Sequence, residues 1–299
     1  MLDDGRWDDF LRDGFMHLGA MLDPDQVVAL RDRADALALG TVTNDQVLMQ
    51  RDTGGAYDDL PDVVTDFGEG TLRYRKIQGL ETDDLFRELV VHPLCREICA
   101  QMYGAHAPVS IFRAMIMNKP AGQGTTLPWH QDGGDVWKLD RDPLVTVWVA
   151  LDDATPENGC MEAVRGSHRK GLLSFEGSTL SEAEAALHCD PADVVDLAVP
   201  AGHGVLLHNW LIHRSGINPS ERPRRGFTAC YMDGRTISSL TGNHFPLVLG
   251  TAPQEVPPYV AQLEIDCAAL RTSFATAEEY ALSLEAEVGR LREALAAAS

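Results

Sequence analysis

No stretch of the sequence approaches the roughly 18 consecutive apolar residues that a membrane-spanning helix needs, so no transmembrane helix is expected. The first ten residues, MLDDGRWDDF, lack the apolar centre of a secretory leader, and no signal peptide is expected either. Six cysteines are scattered without a CxxC pair, which argues against zinc ribbons and dithiol redox motifs. Cys95 and Cys99, on an expected helix, read as two buried thiols. Together these absences point to a reduced, cytoplasmic chain. Basic residues are also scarce: 25 Lys and Arg against 45 Asp and Glu leave a formal net charge of −20. Such a surface repels phosphate backbones and anionic headgroups, so neither nucleic acid nor a membrane is an expected partner. Internal repeats and low-complexity tracts are missing as well, which sets solenoids aside.

What is present suffices for a full core, since 44% of the 299 residues are hydrophobic. One decorated domain over 1–299 is expected. Residues 1–104 read as a mainly helical part: helix, strand, helix, with Asp23-Pro24 as an N-cap and first-turn proline. Within it, residues 43–70 lose periodicity and read as a lid or a plain loop. A strand in LRYRKIQGL and a helix from Glu81 to Gly104 follow. Residues 105–235 hold short apolar or alternating runs parted by Gly, Pro and Asn turns, which suggests an all-β sandwich or barrel. Residues 236–299 read as an extension whose helix, about 273–298, carries a leucine stripe for packing on the body or for dimerisation. Monomer and homodimer both remain open.

His130-Gln131-Asp132 is the first candidate ligand pair. On an extended segment, residues two apart point to one side, so imidazole and carboxylate converge. A chain with 10 histidines yields about one HxD by chance, and this one holds a second, His188-Cys189-Asp190. That copy lies in an acidic helix-to-loop stretch with proline after it. The first follows a strand and opens into Gly133-Gly134, which would leave room for ligands. A distal third ligand is offered by His208 or His213. On one strand, five residues apart, they would face opposite sides. His213 is followed by Ser215, a turn and three arginines, so it is preferred; His208 is expected to pack or to hydrogen-bond near the metal.

Two histidines and a carboxylate on one face leave coordination positions open, which suits iron(II) and oxygen chemistry. A 2-oxo acid chelating that metal would need a buried cation for its far carboxylate, and arginine supplies a planar fork. Arg222, Arg224 and Arg225 lie at the right remove, with alternation placing Arg222 and Arg224 on one face.

WHQD, the run from Trp148 to Cys160 (WVALDDATPENGC), RGSH at 165–168 and HRSGIN at 213–218 occur in an order that resembles the phytanoyl-CoA dioxygenase family of 2-oxoglutarate oxygenases. The resemblance covers nearly the whole chain. It implies a mainly β double-stranded β-helix, a jelly-roll barrel of cupin type with flanking helices. It implies His130, Asp132 and His213 as iron ligands, Arg224 with Ser215 as the 2-oxoglutarate anchor, and Lys76, Met115 and Trp148 as further cosubstrate-pocket residues. The cofactors it implies are Fe(II), 2-oxoglutarate and O2, with succinate and CO2 as co-products. Asp132 favours hydroxylation, desaturation or ring formation over halogenation, since related halogenases lack this carboxylate. One departure stands out: Arg165 replaces the usual proline before Gly-Ser-His and would present a cation near the site's mouth. Trp137, Gly133, Gly134 and Arg165 are the candidate substrate contacts. From the net charge, a small neutral or cationic metabolite is expected. A zinc hydrolase, which also uses two histidines and a carboxylate, and a non-catalytic jelly-roll binding protein are the alternatives.

Overall fold

Alternation along the strands decides the architecture, because each strand must bury one face in a core and offer the other to a cavity. The computed structural model describes residues 2–54, 57, 60, 61, 63, 69–122, 124–173 and 179–250. In chain order these form α1 (Asp4–Asp13), β1 (Phe15–Ala20), α2 (Pro24–Ala38), β2 (Leu48–Arg51), β3 (Tyr74–Gln78), α3 (Asp84–Val90), α4 (Pro93–Tyr103), β4 (Val109–Lys119), β5 (Leu127–His130), β6 (Val145–Ala150), β7 (Met161–Val164), α5 (Glu182–His188), β8 (Val194–Leu197), β9 (His203–His208), β10 (His213–Ser215), β11 (Arg224–Asp233) and β12 (Leu247–Leu249).

The large sheet runs β1-β9-β6-β11-β4-β3-β2, with β12 added to β4; the small sheet runs β5-β10-β7-β8. All described pairings are antiparallel, and the two sheets stay separate instead of closing into one hydrogen-bonded barrel. The jelly-roll expectation holds. β4 and β11 form its spine, pairing from Arg224 opposite Lys119 to Asp233 opposite Val109.

On one face of the large sheet Ile77, Ile116, Val147, Phe227, Ala229 and Tyr231 pack with Phe10, Leu37, Phe86 and Ile98 of the helices. Phe86 and Phe227 stack at 5.5 Å. Each fully buried Ile, Val, Leu or Phe among them contributes about 1.5–3 kcal/mol. The opposite face, with Met115, Met117, Trp148 and Thr228, turns towards the small sheet and lines a cavity.

The helix starts follow their caps. Asp23 accepts from the Gln26 backbone while Gln26 returns the bond, and Pro24 sits in the first turn. Several expectations change. Within residues 1–104 the expected strands, β1 and β3, join the large sheet, and β2 is added to them. β2 lies inside the supposed lid, at the sheet edge, where its polarity is satisfied: Gln50 accepts from Arg75, and Asp52 accepts from Thr125. The helix expected from Glu81 to Gly104 is two, since Pro93 cannot continue α3 and opens α4 under the His92 cap. The C-terminal helix expected at 273–298 falls outside the described residues. No described helix is long and apolar enough to cross a membrane.

Candidate active site

β5 and β10 are neighbours in the small sheet, and their register sets His213 directly opposite His130. Their rings lie 4.0 Å apart, and His130 Nε2 is 4.0 Å from Asp132 Oδ1. One donor atom from each of His130, Asp132 and His213 lies within 4.8 Å of the other two, as a single metal ion requires. The tautomers follow from the backbone. His130 Nδ1 faces the Pro128 carbonyl at 2.9 Å and His213 Nδ1 faces the Leu211 carbonyl at 2.9 Å. A carbonyl only accepts, so each Nδ1 carries the proton and each Nε2 keeps its lone pair for a metal. Burial, with His213 alongside, pushes His130 down to about 4, so it stays neutral and ligand-ready.

The turn holding Asp132 is fixed from behind. Its backbone N–H donates to the Asn209 carbonyl at 2.7 Å, while Asn209 takes the Thr146 hydroxyl at 2.9 Å and donates to Cys230 Sγ at 3.3 Å. Gln131 is fully buried, and it donates to the Gly171 and Trp210 carbonyls and accepts from Leu173 N–H. Such outer partners orient metal ligands. The supposed single strand bearing His208 and His213 does not exist: β9 ends at His208 and β10, in the other sheet, begins at His213. His213 joins His130 and Asp132 by sheet position, not by strand parity. His208 accepts from Trp210 N–H and packs by Phe10 and His168. The second motif sits at the end of α5, apart from these groups, and only His130, Asp132 and His213 form such a cluster among the described residues.

At the other end of the cavity, Arg224 is 3% exposed. Its Nη2 donates to the Gly159 carbonyl at 2.7 Å, its Nε is buried without a partner, and its guanidinium lies 5.8 Å from the Trp148 ring centre. Burial lowers it to about 10, and it remains charged. A buried, half-satisfied guanidinium aimed into a cavity is a seat for an anion. Trp148 crosses β11 at Gly226, where any Cβ would strike the indole. The other two arginines part from it: Arg222 is exposed in the preceding turn, and Arg225 pairs with Asp152 and Asp35 on the far face.

The cavity holds about 740 Å3 of unfilled space, open solvent at its mouth included. Its wall contains His130, Asp132, His213, Ser215, Arg224, Met115 and Trp148. It also contains three cations not picked out from the sequence, Lys119, Arg75 and Arg214, the last of them paired with Glu162. Lys119 is paired opposite Arg224 and donates to the Thr125 carbonyl at 2.8 Å; burial, then Arg224 and Arg75, bring its ammonium down to about 7. Its lone signal was a lysine ending an apolar strand, in MNKP.

Other expected contacts lie elsewhere. Lys76, opposite Met117, is on the cavity side of β3 but not in the wall. The β2–β3 register gives β3 one extra residue, Arg75, and this bulge turns Arg75 into the wall. Arg165 does not present a free cation at the mouth: it donates to Asp13 at 2.6 Å, tying its loop to α1, and covers Phe15. Gly133 and Gly134 serve the turn instead of opening space. Gly134 N–H donates to Asp142 at 2.9 Å, and a Cβ on Gly133 would meet the same carboxylate. Trp137 is outside the wall and stacks on Phe112 at 4.7 Å.

Comparison with known proteins agrees with this geometry. Residues 10–226 match the phytanoyl-CoA dioxygenase (PhyH) family. The phytanoyl-CoA dioxygenase domain-containing protein 1 of Mus musculus is 28% identical over 54% of this chain and 57% of its own length. The L-proline trans-4-hydroxylase of Streptomyces griseoviridis is 28% identical over 59% of this chain and 73% of its own. The chain thus spans little more than half the length of the mouse relative. The solved structure of the non-heme alpha ketoglutarate dependent carbocyclase SnoK from nogalamycin biosynthesis superposes with a TM-score of 0.61 at 21% identity, covering 86% of this chain and 94% of that one. That last likeness speaks to the fold. With the family matched across most of its length, the chain belongs to the phytanoyl-CoA dioxygenase (PhyH) family.

Proposed function

We propose that this chain oxidises a small-molecule metabolite with iron(II), 2-oxoglutarate and O2, releasing succinate and CO2. The observation that carries this reading is the pairing, in one cavity, of a two-histidine, one-carboxylate cluster with a buried arginine whose Nε lacks a partner. The donor set fits iron(II), and Arg224 fits the far carboxylate of a 2-oxo acid. When bound, the metal and the 2-oxo acid would together activate O2, which supplies the oxidising equivalents that side chains cannot.

The residues of the chain do the rest. His130 and His213 present their Nε2 atoms, oriented by Nδ1–H bonds to carbonyls. Asp132 supplies the charged ligand, and keeping this carboxylate favours hydroxylation over halogenation. Arg224 and Ser215 seat the far carboxylate, with Lys119 adding a positive field beside it. Trp148 and Met115 wall the cosubstrate in, and Met117, Leu127 and Leu207 keep water from the chemistry. The name of the Streptomyces relative supports a small substrate. A zinc hydrolase would leave Arg224 and Lys119 without an anion to hold.

Anaerobic titration tests the reading. Iron(II) and 2-oxoglutarate together should give a weak visible band near roughly 500 nm, as a chelated 2-oxo acid at an open triad does. Arg224→Ala should weaken 2-oxoglutarate by about 30-fold or more while iron binding is retained. A native protein with no band, or an Arg224→Ala variant with undiminished 2-oxoglutarate affinity, would sink it.

A further inference from the structure

Beyond the wall residue Met115, on the same face of β4, stands a cation the chemistry above does not use. Arg113 stands opposite Cys230, two residues along the same face from Met115. Cys230 takes a bond from Asn209, and Asn209 holds the backbone of Asp132, so Arg113 belongs to the metal end. The β4–β11 register slips at this point, and Phe112 is the extra residue. Its ring stacks on Trp137 at 4.7 Å and 26°. The Arg113 guanidinium lies over both, 4.5 Å from the Phe112 ring centre and 5.0 Å from that of Trp137. Two aromatic faces hold the planar fork still and leave its N–H edge free to bond.

No anion among the described residues answers this charge. Arg113 makes no hydrogen bond or ion pair among them. Asp142 is engaged by Gly134 N–H, Asp135 by Lys138, and Asp233 by Arg235 and Arg141, and Glu81, whose carboxyl lies by Ala114, makes no ion pair with Arg113. Lys76 deepens the imbalance, since burial, with Arg75 and Arg113 nearby, brings its ammonium down to about 8. A half-buried guanidinium stacked on aromatic rings beside a metal cluster, with no acid partner, is built for an incoming oxyanion.

We propose that Arg113, steadied by Phe112 and Trp137, binds a carboxylate of the primary substrate beside the metal triad. The substrate is then a small carboxylic acid, in place of the neutral or cationic metabolite expected from net charge. The inference rests on the triad and Arg224 being the reaction site.

Matched acids and amides test it. L-Proline and L-prolinamide, phenylacetate and phenylacetamide, and benzoate and benzamide are titrated into protein loaded with iron(II) and 2-oxoglutarate under argon, following the visible band. Tryptophan fluorescence of the metal-free protein, with Trp137→Phe as control, reads the same preference without iron. At least one acid should bind about 10-fold or more tightly than its amide. Arg113→Gln should remove that preference and Arg113→Lys should keep part of it, while 2-oxoglutarate affinity stays within about threefold. The proposal is overturned if no acid outbinds its amide, or if the preference survives Arg113→Gln. It is overturned equally if Arg113→Gln weakens 2-oxoglutarate as much as Arg224→Ala, since the anion would then be the cosubstrate's. Loss of the visible band in the native protein would instead count against the oxygenase reading, and the fluorescence arm would still judge Arg113.

Discussion

The two ends of the cavity are built by different means. The metal end stands on short strands: β5 has four residues, β10 has three, and their register is irregular. What fixes it is a set of local bonds, from each histidine Nδ1–H to a carbonyl two residues back and from Gln131 and Asn209 to surrounding backbone. The cation end stands on the long β4–β11 ladder, where register alone sets Lys119 against Arg224. Local hydrogen bonds fix ligand angles, so damage there should show in metal affinity. Burial sets the charges at the other end, so damage there should show in anion affinity and its pH dependence.

The sharpest way to separate the ends is His213→Ala. It removes one of three ligands and should lower iron(II) affinity more than about 100-fold, beyond the upper range for losing an outer partner. Metal content after dialysis against iron(II) reads the result; near-stoichiometric metal in the variant would disprove the triad. Gln131→Leu is the next step down. It touches no metal but strands the Gly171 and Trp210 carbonyls and the Leu173 N–H. It should weaken iron by about 10- to 100-fold and leave Arg224 unaffected. A variant that loses stability with unchanged metal affinity would make Gln131 a packing residue alone.

The contrast also explains what could be read in advance. His130 and Asp132 were legible because a two-residue spacing on a strand is a local rule. His213 was chosen from a strand that is really two, so it meets His130 and Asp132 for a reason other than the parity argument. β2 stayed hidden because an edge strand of LMQR with buried Gln50 and Asp52 lacks apolar alternation; its partners, Arg75 and Thr125, are remote in sequence. Pro93 was visible, but the apolar spacing on both sides of it masked the break. Arg165 looked free because its partner, Asp13, lies 152 residues away. Lys119 and Arg113 were read only as strand residues. What marks them out is register and missing partners, which pairing across the sheet alone reveals.

The smallest effect lies in the charge state of Lys119. Its ammonium sits near 7 in the folded protein because burial and two guanidiniums disfavour the charge. In an unfolded chain a lysine titrates near 10.4. Between these values the unfolded state holds the extra proton, so this group's contribution to stability rises with pH from about 7 to about 10. Below 7 both states are protonated and the full cost of the buried charge remains. An arriving carboxylate reverses the local preference, because it favours the charged lysine. 2-Oxoglutarate binding should therefore take up a proton, and its affinity should fall by about three- to tenfold as pH climbs from 6.5 to 8.5. Lys119→Met should bind 2-oxoglutarate more weakly at pH 6.5 and lose most of that slope, because Arg224 stays charged throughout. Titration calorimetry in two buffers of different ionisation enthalpy measures the proton uptake directly. An unaltered slope in Lys119→Met would assign the pH dependence to another group and leave Arg224 as the principal cation of that end.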